Sequence, residues 1–167
     1  MLLRDNYDRV YGVCRRLTGN DTDACDAAQE ALIAIVRGLA RFDGRSQLST
    51  WVYRIAVNSS IDEMRRRGRR SATSLDALAE GGMDASSSSA FGSDALGETV
   101  ARGVDIDVAL MKLPADFRAA VVLRDMCGLD YQEISEVLGI PPGTVRSRIA
   151  RGRSALAELL GPARSGL

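Results

Sequence analysis

One stretch narrows the fold more than any other: Asp130-Tyr131-Gln132-Glu133-Ile134-Ser135-Glu136-Val137-Leu138-Gly139-Ile140-Pro141-Pro142-Gly143-Thr144-Val145-Arg146-Ser147-Arg148-Ile149-Ala150-Arg151. Asp130 and Glu133 have the D-x-x-E spacing of a capping box and start a helix. Ile134, Val137 and Leu138 form its apolar stripe. Gly139 ends it, because the turn needs a left-handed residue. Pro141 and Pro142 cannot continue a helix but can open the next one. Val145, Ile149 and Leu156 then bury one face of a second helix. The pair reads as a helix-turn-helix. The opposite face of the second helix carries Thr144, Ser147, Ala150, Arg151 and Ser154, flanked by Arg146, Arg148 and Arg153. Short polar groups toward base edges and arginines toward phosphates are what a recognition helix needs. This helix has Pro141 where a Ser or Asp cap would stand, and Thr144 is the residue able to compensate.

Charge placement supports DNA over an ordinary solvated hairpin. Between Val104 and Glu136 the acids Asp105, Asp107, Asp116, Asp125, Asp130, Glu133 and Glu136 outnumber Lys112, Arg118 and Arg124. Beyond Val137 the only acid is Glu158, against Arg146, Arg148, Arg151, Arg153 and Arg164. The sign changes where the second helix begins. The whole chain of 167 residues has a net charge of zero, so its basic character is local. Three cysteines lie far apart and histidine is absent, which leaves a zinc site without ligands. The thiols read as small core residues of a reducing compartment. No signal peptide or membrane-length apolar run is present, so the expectation is a cytoplasmic protein without membrane insertion.

Residues 71–103 divide the chain. They hold Ser86 to Ser89, Gly81, Gly82, Gly92, Gly97 and Gly103, and Asp76, Glu80, Asp84, Asp94 and Glu98 against Arg102 alone. This composition reads as a flexible acidic tether, with at most a short turn of helix around Leu75 to Leu78. Unconstrained, its ends would lie roughly 30 Å apart, leaving the two blocks able to bind separate surfaces of one large partner. The fold expected is all-α: two small helical domains, 1–70 and 104–167, joined by that linker.

The first block reads as three helices. Tyr7, Val10, Tyr11, Cys14 and Leu17 line one face of the first, closed by Gly19. Asp21 or Thr22 can cap the second, whose apolar side is Ala27, Ala28, Leu32, Ile35, Val36 and Leu39. Asp23, Asp26 and Glu30 suit its positive N-terminal end. The third, about Leu48 to Arg67, has two apolar stripes (Leu48, Trp51, Val52, Ile55; and Tyr53, Val57, Ile61, Met64) and so reads as a core helix. Arg54, Asn58 and Arg65 line up between the stripes. With Arg65-Arg66-Arg67-Gly68-Arg69-Arg70 they suggest a surface for a polyanion.

In this order the segments resemble one family, the extracytoplasmic-function (ECF) sigma factors, promoter-recognition subunits of bacterial RNA polymerase. Asp23-Ala24-Cys25-Asp26-Ala27-Ala28-Gln29-Glu30 is similar to the family's D-A-E-D-x-x-Q-E segment. Cys25 stands for its glutamate, and Ala27 and Ala28 for larger apolar residues. Phe42-Asp43-Gly44-Arg45-Ser46 and Leu48-Ser49-Thr50-Trp51-Val52-Tyr53-Arg54-Ile55-Ala56-Val57-Asn58 resemble its promoter-melting loop and helix. Leu113-Pro114 with Arg118, Gly128-Leu129 with Tyr131 and Glu133, and Gly143-Thr144-Val145-Arg146-Ser147-Arg148 resemble its fourth region.

The resemblance implies that Asp23, Asp26, Gln29 and Glu30 dock on the β′ clamp helices of core RNA polymerase. The second block would hold the β flap and read the −35 promoter element through Thr144, Arg146, Ser147, Arg148, Ala150 and Arg151. The first block would read and melt the −10 element through Phe42, Arg45, Ser46, Arg54, Asn58 and Arg65. There a base leaving the stack must be stacked and hydrogen-bonded elsewhere. Trp51 sits at an apolar position that favours the core. The family also implies an anti-sigma factor as partner and no cofactor; with the sequence stopping at Leu167, the extra C-terminal domain that some of its subgroups carry is not expected. The rival readings are a one-component helix-turn-helix repressor, which needs a ligand pocket, and an enzyme. The enzyme lacks a histidine, clustered carboxylates or an activated nucleophile.

Overall fold

The computed structural model describes residues 2–78 and 99–161, and all of its regular structure there is helical. The helices are α1 (Leu2–Thr18), α2 (Asp21–Leu39), α3 (Leu48–Leu78), α4 (Thr99–Lys112), α5 (Ala115–Val121), α6 (Tyr131–Leu138) and α7 (Pro142–Leu160). After α5 the chain widens into one π turn, Val122–Met126. The serine run Ser86 to Ser89 and its neighbouring glycines lie outside the described residues.

Helices α1, α2 and α3 pack on one another. Val10, Val13, Cys14 and Leu17 meet Ala24, Ala27, Ala28, Ala31 and Ile35, and Val52, Tyr53, Ala56 and Val57 close the core. Ala27 and Ala28 are fully buried, so their small size changes how closely helices approach and leaves the outer surface of α2 untouched. The cap of α2 is Asn20, one residue before the two candidates. Its side-chain oxygen accepts from the Asp23 N–H at 2.8 Å. Asp21 instead takes the Arg15 guanidinium at 2.7 Å and the Tyr11 hydroxyl at 3.1 Å, which together hold its carboxyl below the usual carboxylate range.

The third helix runs well past its expected end at Arg67, to Leu78. After Gly68 the segment through Leu78 has neither Gly nor Pro, and Ala72, Leu75, Ala77 and Leu78 are good helix formers. On the other side α4 already begins at Thr99.

In the second block the capping box of α6 is complete. Asp130 accepts from the Glu133 N–H and Glu133 from the Asp130 N–H, each at 2.8 Å. Gly139 ends α6 in the left-handed conformation, φ 64°. Val145 and Ile149 are buried and Leu156 half-buried. Gly152 lets α7 lie against α5: a Cβ there would stand 2.6 Å from Val121 Cγ2. Thr144 does not act as a cap. The helix starts at Pro142 with no side-chain cap, and the Thr144 and Val145 N–H groups bond the Pro141 carbonyl.

The two blocks do not stand apart as a loose tether would allow. Helix α3 packs on α6, and α1 packs on α4, α5 and the π turn. The core residues of both blocks form one continuous cluster. Arg118 of α5 crosses the seam, donating to the Leu17 carbonyl at 2.5 Å and to the Leu113 carbonyl at 3.1 Å. Thr50 of α3 donates to Glu133 of α6 at 3.0 Å. Met111 lies against Gly19, whose positive φ of 84° closes α1.

Candidate nucleic-acid interface

The recognition helix presents a graded face. Arg146, Ser147, Ala150 and Arg151 are exposed, and Thr144 is half-buried. Ser147 donates to the Thr144 carbonyl at 2.9 Å, which ties the first turn together. The Arg146 guanidinium lies over the Tyr131 ring at 5.8 Å, a cation–π contact that steers it toward the start of α6. Arg148 differs from the others. It turns back to Asp116 of α5 at 2.9 Å, with its side chain only 24% exposed. Arg153 likewise pairs with Asp125. Arg146 and Arg151 are the arginines of this helix that face outward with no acidic partner among the described residues.

The promoter-melting candidates divide into two groups. Phe42, Arg45, Ser46 and Arg54 line one cleft of about 550 Å³ with Arg41, Asp43, Trp51 and Glu136. Phe42 and Trp51 meet there with ring centroids 5.3 Å apart and planes tilted by 49°. Trp51 is half-buried against the core, so it belongs to both the core and the cleft wall. A second aromatic beside Phe42 suits base stacking, which any base can supply through its π face. Asn58 is exposed on α3, one turn beyond Arg54 and off the cleft. Arg65 is exposed, pairs with Asp62 at 3.6 Å and lines a separate groove with Leu17, Met64 and Arg148.

The arginine run at the end of α3 is less available than its sequence suggests. Arg66 and Arg70 both reach Glu63, at 3.2 Å and 2.5 Å, and the Glu63 side chain is only 3% exposed. Arg67 bonds Asp23 at 2.9 Å. The run therefore ties down acids, a role that charge spacing alone does not reveal.

On α2 the structure separates the acidic residues. Asp26, Gln29 and Glu30 are exposed. Asp23 is buried, accepting from Asn20 at 2.7 Å and from Arg67. Val36 and Leu39, placed in the core by their spacing, are 58% and 53% exposed, and Ile33 is 40% exposed. At three- and four-residue steps Asp26, Gln29, Glu30, Ile33 and Val36 share one outward face. The sequence signal was present for Ile33 and Val36, which continue the spacing of the exposed acids; Leu39 continues that of the buried alanines and is exposed at the last residue of the helix. Cys25 is exposed too, unlike the core thiol expected; Cys14 is buried and Cys127 half-buried. Burial pushes the Cys127 thiol up to about 11, against the opposing pull of Arg16 and the Tyr53 hydroxyl.

Among the described residues no group of His, Cys, Asp or Glu is arranged to hold a metal, and no helix is long and apolar enough to cross a membrane.

Residues 2–70 match the Sigma-70 region 2 family and residues 104–156 the Sigma-70, region 4 family. The ECF RNA polymerase sigma factor SigW of Bacillus subtilis is 37% identical over 158 residues, covering 92% of this chain and 83% of that protein. The chain belongs to the ECF sigma factors. The ECF RNA polymerase sigma factor SigE of Mycolicibacterium smegmatis is 40% identical over 159 residues, covering 95% of this chain but 60% of that longer relative. In three dimensions the chain is similar to the sigma factor RpoE of Bartonella quintana, co-crystallised with the anti-sigma factor NepR. That likeness has a TM-score of 0.73, 27% identity, and coverage of 97% of this chain and 96% of that one. As a sigma factor it binds RNA polymerase and directs transcription initiation. The helix-turn-helix repressor reading is set aside with this assignment.

Proposed function

We propose that the division of labour follows the two blocks, 1–70 and 104–167, and that the cleft beneath Phe42 and Trp51 is where the −10 element is opened. The observation that carries this reading is the convergence of an aromatic pair, the Ser46 hydroxyl and the Arg45 and Arg54 guanidinium groups on one cleft. A base flipped from the non-template strand needs a stacking surface, hydrogen-bonding partners and nearby positive charge for its phosphates. Asn58, one turn along α3, reaches a neighbouring nucleotide, and Arg65 the backbone beyond it.

The −35 element is read by Ser147, Ala150 and Arg151, with Arg146 beside them on a phosphate or base edge and Thr144 at the start of the helix. Arg148 braces α7 on α5 through Asp116. Ala150 offers a methyl contact to thymine. The face of α2 holding Asp26, Gln29 and Glu30, extended by Ile33 and Val36, docks on the β′ clamp helices. Asp23 anchors that helix from within. The exposed apolar residues of α4, Ile106 and Val108, suit the β flap. An anti-sigma factor is a further partner, in keeping with the Bartonella quintana relative, which was crystallised together with one. The protein works in the cytoplasm beside the nucleoid, without cofactor or catalytic chemistry of its own.

The test is open-complex formation by Asn58→Ala and Phe42→Ala in complex with core polymerase, read as permanganate reactivity of unpaired thymines. Both should lose reactivity on duplex promoter and recover much of it on a pre-melted bubble. Equal loss on duplex and bubble would contradict base capture at this cleft.

A further inference from the structure

We infer that Tyr131 and Arg124, neither of them on the recognition helix, are positioning residues for −35 readout: they hold the Arg146 guanidinium at the edge of the reading face before DNA arrives. This deepens the −35 role proposed for Arg146 and rests on it.

An arginine on the exposed face of a helix samples many rotamers, and fixing it on DNA offsets part of the binding that its contact supplies. Arg151 carries that cost in full, being exposed with no ring or acidic partner among the described residues. Arg146 differs. Its guanidinium carbon lies 5.8 Å from the centroid of the Tyr131 ring, within cation–π range. The same ring carries a second guanidinium, that of Arg124, at 5.0 Å. Two cations about one ring repel each other, so the arrangement needs restraints. Arg124 is half-buried and donates to the Leu129 carbonyl at 2.7 Å. Leu129 is buried, and its own N–H bonds the Leu123 carbonyl at 3.1 Å. Gly128, with φ 72°, turns the chain so that this small loop closes. Tyr131 packs against the core at the first position of α6, directly after Asp130, whose capping box fixes the backbone there. A line of contacts thus runs from the core to the DNA face: the Leu129 carbonyl, Arg124, the Tyr131 ring and Arg146.

The π turn gives this line its place. Arg124 and Asp125 are consecutive residues of it, and both serve the recognition helix. Arg124 acts through Tyr131, and Asp125 accepts from the Arg153 Nε at 3.0 Å. Arg146 and Arg153 stand about two helical turns apart, so the π turn steadies α7 at two points along its length. Single π turns set into α-helices are frequent at functional sites. Contact with the ring and contact with DNA are compatible. The ring takes the flat face of a guanidinium, whereas a phosphate or a guanine edge takes the N–H groups in its plane. Arg146 can therefore stay on Tyr131 while it bonds DNA, already ordered when the duplex arrives.

The test is a double-mutant cycle on binding of a labelled −35 duplex by the complex of chain and core polymerase. Tyr131→Leu removes the ring but keeps an apolar side chain. It should weaken binding about two- to tenfold, the cost of ordering one freed side chain. Arg124→Met leaves the ring in place and should act in the same direction more weakly, whether or not the leucine variant folds well. Tyr131→Phe keeps the ring and should bind as wild type does. In an Arg146→Ala background Tyr131→Leu should cost no more than about twofold, whereas in an Arg151→Ala background it should cost its full factor. The same loss in every background would mean that the ring merely supports the fold, and would overturn the inference. So would an equal loss for Tyr131→Phe and Tyr131→Leu, which puts the hydroxyl itself on DNA, or tighter binding by Tyr131→Leu, which means that the ring withholds Arg146. Arginine side-chain NMR of the free chain reads the positioning directly. The Arg146 Nε–H signal should be ordered and shifted by the ring in wild type and Tyr131→Phe and lose both features in Tyr131→Leu, with the Arg151 signal unmoved. An Arg146 signal that is the same in all three chains overturns the inference. If Arg146→Ala leaves −35 binding unchanged, the −35 role of Arg146 fails instead, and these spectra still decide whether Tyr131 holds it.

Discussion

The arginines of the recognition helix make the sharpest comparison, because the structure gives neighbouring residues different tasks. Arg151 is exposed on the face with Ser147 and Ala150, whereas Arg148 is drawn back to Asp116. Arg151→Ala should lose ~1–3 kcal/mol if its guanidinium grips a base edge. At about 1.4 kcal/mol per factor of ten, that is a loss of roughly fivefold to 150-fold, confined to one −35 position. If it grips a phosphate instead, all promoters weaken alike and the salt slope flattens by about 0.9. Arg148→Ala removes an ion pair whose Asp116 partner is 66% exposed, a class that contributes about 0–1 kcal/mol to stability. Its effect on DNA should stay below about fivefold, by the same conversion. The assay is anisotropy of labelled −35 duplexes, each position varied in turn, bound by the polymerase complex at several salt concentrations. Equal losses for the two substitutions, or a larger loss for Arg148→Ala, would refute the division of roles.

On α2, Asp26→Arg and Val36→Glu should each weaken competition for core polymerase while leaving the melting temperature within a degree or two of wild type, since exposed substitutions usually change stability by no more than about 0.5 kcal/mol. Asp23→Ala should do the reverse, lowering the melting temperature through loss of its Asn20 and Arg67 bonds, as calorimetry would show. Gly139→Val forces a β-branched residue into left-handed backbone and should destabilise the second block by about 1–2 kcal/mol or more, read by denaturant unfolding. Alkylation mapped by mass spectrometry should find Cys25 reacting well before Cys14 and Cys127, following exposure and the raised thiol of Cys127.

The helix-turn-helix was legible residue by residue because local chemistry writes it. Asp130 and Glu133, Gly139 and the two prolines act over a few residues, and nothing distant overrides them. The exposure of Val36 and Leu39 was harder. Periodicity reports that a helix has an apolar face, but a face reserved for a partner has the same period as one buried in the core. Asp23 was misplaced for the opposite reason: an acid in a first turn suits the helix dipole whether or not Arg67 arrives from forty-four residues away to bury it. The extension of α3 to Leu78 was hidden by serines and a charge-rich run that read as the start of a tether. Least legible was the seam. Arg118 and Thr50 find their partners only once both blocks exist, so no local pattern announces that the blocks close on each other.

The central claim is that this chain gives core RNA polymerase its choice of promoter. The direct measurement is transcription in vitro by core polymerase, with and without the chain, on sheared DNA of the source organism, followed by mapping of RNA 5′ ends. The account predicts discrete start sites that appear only when the chain is present, preceded by a shared pair of elements at −35 and −10, and lost with Asp26→Arg. Start sites as scattered as those of core polymerase alone, or a chain that binds DNA in the absence of polymerase and never joins it, would contradict the account.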